Sequence, residues 1–71
     1  MLQNVKARLL ELTQDINVQV KIAAIYALGE GGAALPDITE RLLELSRDIN
    51  NDVKIAATKA LGRMSRPGPQ R

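Results

Sequence analysis

Apolar side chains recur at the spacing of an α-helix in two stretches of the first 31 residues. Intervals of three and four residues place the first stretch on one stripe, made of Leu2, Val5, Leu9, Leu12 and Ile16. The segment "DIN" at residues 15–17 interrupts it, and both polar residues of this segment suit the N-cap of a second helix. That helix begins near Val18. We predict that it ends at Gly29, because glycine readily takes the left-handed conformation of a helix C-cap.

The second helix carries apolar residues on more than one side. We predict an inner side of small or branched residues, made of Val20, Ala23, Ala24, Ala27 and Leu28. Its alanines would let two helix axes approach closely. Ile22 and Tyr26 lie four residues apart and Ile25 lies three residues from Ile22, so these three can form one patch. We predict that this patch faces away from the inner side, toward solvent.

The chain contains an internal duplication with a period of 33 residues. Residues 2–29 align with residues 35–62, and 17 of these 28 positions are identical. A period of this length is typical of a solenoid of stacked helical units. We predict an all-α, two-repeat solenoid of four helices in two antiparallel pairs. Repeat 1 covers about residues 2–31 and repeat 2 about residues 35–64, within a single domain of residues 1–64. Residues 65–71, with two prolines and a glycine, are predicted to form a disordered basic tail.

The duplicated segment resembles a known repeat family. "DINVQVKIAAIYALG" at residues 15–29 and "DINNDVKIAATKALG" at residues 48–62 look like the inner half of a HEAT repeat, in the short bacterial form that includes the phycobilisome-lyase-like group. The resemblance implies a hydrogen-bonded ladder along the stack between the turn aspartate and a basic residue of the inner helix. The matching residues are Asp15 with Lys21 and Asp48 with Lys54. Lysine stands where the family has arginine, so we expect a weaker ladder.

Two of the differences between the copies fall where an interaction surface would be expected. Thr58 and Lys59 of repeat 2 replace Ile25 and Tyr26 of repeat 1, whereas Ile55 matches Ile22. Isolated apolar residues are common on protein surfaces, and this plain interpretation stays open. The alternative is a contact surface for another protein or another copy, with the single aromatic residue as its anchor. The predicted contact residues are Ile22, Ile25, Tyr26 and Ile55, with Lys59 and Arg63 at the rim.

The number of repeats supports the interaction hypothesis independently. Solenoid repeats contact only their neighbours, and about three repeats are usually needed for stability, with polar caps at both ends. This sequence has two repeats and no evident cap. We therefore expect either a larger protein partner or self-association, for which a closed two-fold dimer is the commonest form.

Composition leaves little room for catalysis. The sequence has no cysteine and no histidine, which removes the thiolate nucleophile, the commonest general base and the commonest metal ligand. Glu40, Glu44 and Asp48 share one helix face, but Arg41 and Arg47 lie among them, so a solvated, salt-bridged face is the simpler explanation. We predict a protein that is not an enzyme and holds no metal and no cofactor. No segment reads as a membrane span or signal peptide, and we expect a cytoplasmic location.

Charge and family resemblance leave two other functions open. Residues 1–62 hold seven basic and eight acidic side chains, and the excess positive charge lies in the last nine residues. Lys21, Lys54, Lys59 and Arg63 could form only a weak phosphate track, so a nucleic-acid partner is not our expectation. The phycobilisome-lyase-like resemblance implies a second alternative, an accessory subunit or fragment of a bilin lyase. No residue here supplies that chemistry, and the alternative depends on analogy alone.

Overall fold

The chain folds into four α-helices. The computed structural model describes residues 2–31 and 35–65. Helix α1 spans Gln3–Leu12, α2 spans Val18–Gly31, α3 spans Pro36–Leu45 and α4 spans Asn51–Ser65. Helix α2 packs mainly against α4, while α1 packs on α2 and α3 on α4. The predicted all-α architecture of two helix pairs is therefore confirmed. The predicted disordered tail lies outside the described residues except for Ser65, which is the last residue of α4.

The same pair of polar residues shapes the turn within each repeat. The Oδ1 atom of Asn17 accepts hydrogen bonds from the backbone N–H groups of Gln19 at 2.9 Å and Val20 at 3.1 Å. The preceding turn is closed by Asp15, whose Oδ1 atom accepts from the N–H of Asn17 at 2.8 Å. Asp48 and Asn50 repeat these contacts before α4. Capping by the DIN segment thus satisfies backbone donors that the first turn of each inner helix leaves without a partner.

Gly29 does not end its helix, contrary to the sequence prediction. Helix α2 continues to Gly31, and Gly29 is buried inside it. A Cβ atom placed on Gly29 would lie 2.8 Å from the Cβ of Ala60 on α4. Glycine is needed at this position because α2 and α4 approach so closely. Gly29 lies inside the helix, so the predicted C-cap conformation plays no part.

The hydrophobic core lies between the two repeats and within the second one. Its members come from α2, α3 and α4: Ile25, Leu28, Ile38, Leu42, Leu45, Val53, Ala56, Ala57, Ala60 and Met64. Helix α1 contributes no fully buried residue. The predicted stripe on α1 is therefore wrong in part: Leu2 and Val5 are exposed, and Ile16 lies in the turn after the helix. Repeat 1 has a neighbouring repeat on one side only, so the α1 residues on its other side remain exposed to solvent.

Candidate protein-interaction surfaces

The apolar patch predicted on α2 is largely a contact between the two repeats. Ile25 is completely buried in the core, and Ile22 is partly buried against it. The prediction that Ile25 faces solvent is therefore wrong. Ile22 and Ile25 pack against the core that α2 shares with α4, whereas Val20 and Ala23 of the predicted inner side are exposed.

Among the described residues, three ion pairs cross the boundary between the repeats, and two of them join a lysine of repeat 1 to an aspartate of repeat 2. The Nζ atom of Lys6 on α1 lies 3.0 Å from Oδ2 of Asp37 on α3. A hydrogen bond from the Lys6 ammonium holds the pKa of the Asp37 carboxyl below its ordinary value of 3.8. The Nζ atom of Lys21 on α2 lies 3.9 Å from Oδ2 of Asp48, which precedes α4. This second pair joins the inner helix of one repeat to the turn of the next.

The Lys21–Asp48 contact joins the residue types of the ladder that the family resemblance implies, but it pairs Lys21 with Asp48 of the next repeat and not with Asp15. At 3.9 Å it is an ion pair and not a hydrogen bond. Each ladder contact joins a lysine of one repeat to an aspartate of the following repeat, so a two-repeat chain has one complete contact and two unmatched ends. The unmatched residues are Asp15 in repeat 1 and Lys54 in repeat 2. Neither takes part in a salt bridge within the described part of the chain.

Further polar contacts tie the outer helices and the helix ends of the two repeats together. The Nη1 atom of Arg41 on α3 donates to the Thr13 hydroxyl at 3.2 Å and to the Leu10 carbonyl at 3.4 Å. Arg63 near the end of α4 pairs with Glu30 near the end of α2. Arg63, predicted at the rim of the contact surface, is therefore already engaged inside the chain.

Repeat 1 presents an apolar surface away from repeat 2, which we call the N-face. It consists of Val5, Val20, Ala23 and Ala27. Val5 is 43% and Val20 36% exposed, Ala23 is exposed and Ala27 is partly exposed. The equivalent residues of repeat 2 are Ile38, Val53, Ala56 and Ala60, and all four are completely buried. The N-face thus has the composition of a surface that packs against a preceding repeat.

Repeat 2 presents the opposite surface, which we call the C-face. It consists of Leu43, Ile55, Thr58 and Gly62. Leu43 is 46% and Ile55 49% exposed, and the other two are also exposed. The equivalent residues of repeat 1 are Leu10, Ile22, Ile25 and Gly29, which pack against repeat 2 or are buried beside it. Ile55, one of the predicted contact residues, therefore lies on a surface that the other copy uses for packing.

Tyr26 and Lys59 lie on neither of these two faces. They occupy equivalent positions on α2 and α4, and both are exposed, so packing between repeats does not cover this position. Tyr26 retains 38% of its surface in solvent. The structure thus separates the six predicted contact residues: Ile22 and Ile25 pack inside the chain, Ile55 is on the C-face, and the rest lie along the exposed sides of α2 and α4.

Two further exposed apolar residues were missed by the sequence analysis. Ile16 and Ile49 occupy the same position in the turns of the two repeats, and each is 97% exposed. Ile16 was predicted to belong to the apolar stripe of the first helix. The sequence does contain a signal for its exposure, because a residue between a turn aspartate and a capping asparagine lies outside both helices.

Among residues 2–31 and 35–65, no group of three or more carboxylate, histidine or cysteine side chains could hold a metal ion, and no pocket is present. No helix in this part of the chain is long and apolar enough to cross a membrane.

Comparison with known proteins agrees with the geometry of the two stacked helix pairs. The family model described as HEAT repeats matches residues 5–70. No curated protein sequence and no solved structure matches the chain significantly. The family match spans nearly the whole sequence, and the Lys21–Asp48 contact and the close α2–α4 packing fit it. The chain belongs to the HEAT repeat family.

Proposed function

We propose that this chain is a protein-interaction or scaffold module that associates with itself or docks on a larger protein through its exposed apolar surfaces. HEAT repeats generally mediate protein–protein interaction, and the fold is typically a non-enzymatic scaffold. The observation that carries the proposal is the exposure of the N-face and C-face, whose counterparts in the other repeat pack inside the chain. We further propose a bacterial, cytoplasmic setting, which is compatible with a sequence that lacks cysteine.

The energetic reason is the cost of leaving such surfaces in water. Removing apolar surface from water is favourable by about 25 cal/mol per Å², and part of this gain offsets the entropic cost of association. A 71-residue domain also buries a smaller share of its surface than a larger one, so a partner that covers a face adds to a marginal fold. Tyr26 offers a second, lateral contact, since an exposed aromatic residue with a polar tip suits an interface.

Site-specific photocrosslinking in cells of the organism that encodes the chain tests this proposal. A photoreactive phenylalanine analogue is placed at Ile55 on the C-face or at Tyr26 on the side of α2. The matched control carries it at Glu40, which is exposed like its counterpart Ala7 in repeat 1, so packing between repeats does not involve that position. We expect adducts of defined mass from positions 55 and 26 and only background from position 40. Equal, diffuse labelling at all three positions would argue against an interaction module.

The nucleic-acid alternative loses support from the ion pairs. Two of the four basic residues considered for a phosphate track, Lys21 and Arg63, pair with Asp48 and Glu30. Binding phosphate would require breaking or sharing these contacts. No observation on the described residues favours the bilin-lyase alternative.

A further inference from the structure

The boundary between the two repeats shows how a C-face and an N-face fit together. Repeat 1 uses the residues equivalent to the C-face to contact repeat 2, and repeat 2 uses the residues equivalent to the N-face to contact repeat 1. The same chain also presents an exposed C-face and an exposed N-face at its two ends. A second copy placed one repeat further along the stack would bring these two surfaces together in the arrangement already present inside the chain.

Apolar contacts at such a junction follow the internal ones closely. Ile55 would take the place of Ile22, and Leu43 that of Leu10, both of which pack against the core inside the chain. On the incoming copy, Val20 and Ala23 would take the places of Val53 and Ala56, which are completely buried. The residue types are identical at all four positions.

Close packing of the inner helices can also be repeated at the junction. Inside the chain, the space beside Gly29 is filled by Ala60. Gly62 is the counterpart of Gly29, and a Cβ atom added to Gly62 would meet nothing within 4 Å. The residue that would fill this space in a second copy is Ala27, the counterpart of Ala60. The C-face therefore has an open recess, and the N-face carries the small side chain that fits it.

Charged groups at the two ends are complementary in the same way. Lys54 on α4 is the counterpart of Lys21, and Asp15 is the counterpart of Asp48, so the second copy would add the next contact of the Lys21–Asp48 ladder. Arg8 is the counterpart of Arg41. It is largely exposed and pairs with Glu11 on its own helix. At the junction it could reach the Leu43 carbonyl and the Ser46 hydroxyl, as Arg41 reaches Leu10 and Thr13.

Several substitutions between the copies weaken the junction without preventing it. Val5 on the N-face stands where the internal contact has the larger, completely buried Ile38. Thr58 stands where the internal contact has Ile25, so apolar volume is lost. Its hydroxyl already donates to the Lys54 carbonyl at 2.8 Å, and this group can be buried without losing its partner. Asn4 and Thr39 replace the Asp37 and Lys6 of the internal ion pair, which leaves two neutral polar groups in its place. The junction between copies should therefore be weaker than the boundary inside the chain.

We propose that the partner is a second copy of this chain, bound head to tail with the C-face of one copy on the N-face of the next. This inference rests on the proposed interaction function and deepens it by naming the partner. The contact is heterologous, because each copy contributes a different surface. Such a contact leaves one free face at each end and adds further copies, whereas a two-fold dimer would stop at two.

Mixing two variants, each blocked on one face, tests this arrangement. Ala23→Glu places a carboxylate on the N-face, at a position whose counterpart Ala56 is completely buried. Thr58→Glu does the same on the C-face, where the counterpart Ile25 is completely buried. Both positions are exposed in the single chain, so both variants should fold as the wild type does. Ala7→Glu is the matched control, since Ala7 and its counterpart Glu40 are exposed in both repeats.

The expected sedimentation results differ between the samples. The wild type and Ala7→Glu should form species that grow beyond two copies as concentration rises. Each blocked variant alone should remain a monomer, because neither sample has both faces intact. An equimolar mixture of the two should form a 1:1 dimer that grows no further, since Thr58→Glu retains a good N-face and Ala23→Glu a good C-face. A mixture that remains monomeric, or a blocked variant that dimerises alone, would overturn the proposal.

Gly62→Ala provides a second test that does not depend on an introduced charge. Alanine is a better helix former than glycine, so this variant should fold at least as well as the wild type. The added methyl group occupies the recess meant for Ala27, and overpacking of this kind should weaken the head-to-tail contact about tenfold or more. Unchanged association would contradict the proposed packing. A wild type that stays monomeric at every concentration would overturn self-assembly, while crosslinks to a foreign protein at positions 26 and 55 would leave the interaction function standing.

Discussion

We expect the same substitution, glycine to alanine, to have different effects on stability at the two equivalent positions 29 and 62. Gly29 is buried between α2 and α4, and a Cβ atom there would lie 2.8 Å from the Cβ and 3.0 Å from the Cα of Ala60. Nonbonded carbon atoms prefer a separation of about 3.5–4.0 Å, so Gly29→Ala requires the two helices to move apart by roughly 1 Å. The second of these contacts is with backbone, and a rotamer change cannot relieve it.

The magnitudes follow from two opposing effects. Replacing glycine by alanine within a helix stabilises it by about 0.8–1.0 kcal/mol. Overpacking by a methyl group costs about 1–3 kcal/mol. Gly62→Ala should show only the first effect, because no atom lies within 4 Å of its new Cβ. Gly29→Ala should show both, so it should be less stable than Gly62→Ala by about 1–3 kcal/mol, or roughly 4–8 °C in Tm per kcal/mol for a domain of this size.

Urea denaturation of the two variants, followed by circular dichroism, measures this difference. The protein should be dilute enough to be monomeric, because association would stabilise the wild type and obscure the comparison. The Gly62→Ala variant serves as the control for helix propensity, since both sites lie in a helix and carry the same change. Equal stability of the two variants would refute the close approach of α2 and α4 and the packing that depends on it.

Substitutions at Asn17, Ile25 and Asp37 test the cap, the core and the ion pair between the outer helices. Asn17→Ala removes the side-chain acceptor for the first turn of α2 and should lower the free energy of unfolding by about 1 kcal/mol in urea denaturation. Ile25→Ala should cost about 2–5 kcal/mol, whereas Ile16→Ala, at a 97% exposed position, should change stability by less than about 0.5 kcal/mol; similar losses from both would contradict the burial of Ile25. The pKa of Asp37 is lowered by the Lys6 hydrogen bond, so its stabilising contribution is full above its unfolded pKa and is lost as pH falls toward its lower folded pKa. The difference in stability between the wild type and Asp37→Asn should therefore shrink as pH falls below about 4, and a difference independent of pH would contradict the role of this ion pair.

Internal duplication made the fold predictable from the sequence. The identity of 17 out of 28 aligned positions indicates two structural units of the same kind, and helical spacing within each unit defines two helices. The capping asparagine predicted at residue 17 has the expected contacts, and α2 begins at Val18. These features are local, because they depend on residues within a few positions of one another in the chain.

The direction of packing was not predictable in the same way. Helix α2 has apolar residues on nearly every side, so spacing alone could not decide whether Ile25 or Ala23 faces a neighbouring helix. The decision depends on where repeat 2 lies, which is a long-range property. The prediction that Ile22 and Ile25 face solvent was therefore wrong. Ile25 is among the most buried of the described residues, and Ile22 is partly buried.

Comparison of the two copies explains the substitution that first suggested an interaction site. Position 25 is apolar because repeat 2 covers it, whereas its counterpart Thr58 is exposed within the described chain. The difference between isoleucine and threonine therefore reports packing between repeats. The same comparison accounts for Gly29, whose role as a packing residue could not be distinguished from a helix end in the sequence.

The solution mass of the wild-type chain, measured by sedimentation from micromolar to millimolar concentration, tests the central claim most directly. Measurements at about 0.15 M and about 1 M salt separate apolar packing from the Lys54–Asp15 contact, since the higher salt shortens the Debye length from about 8 Å to about 3 Å. Head-to-tail assembly predicts a mean mass that rises continuously past two chains and persists in high salt with modest weakening. A mass that levels off at two chains, or that remains at 7.7 kDa throughout, would contradict it.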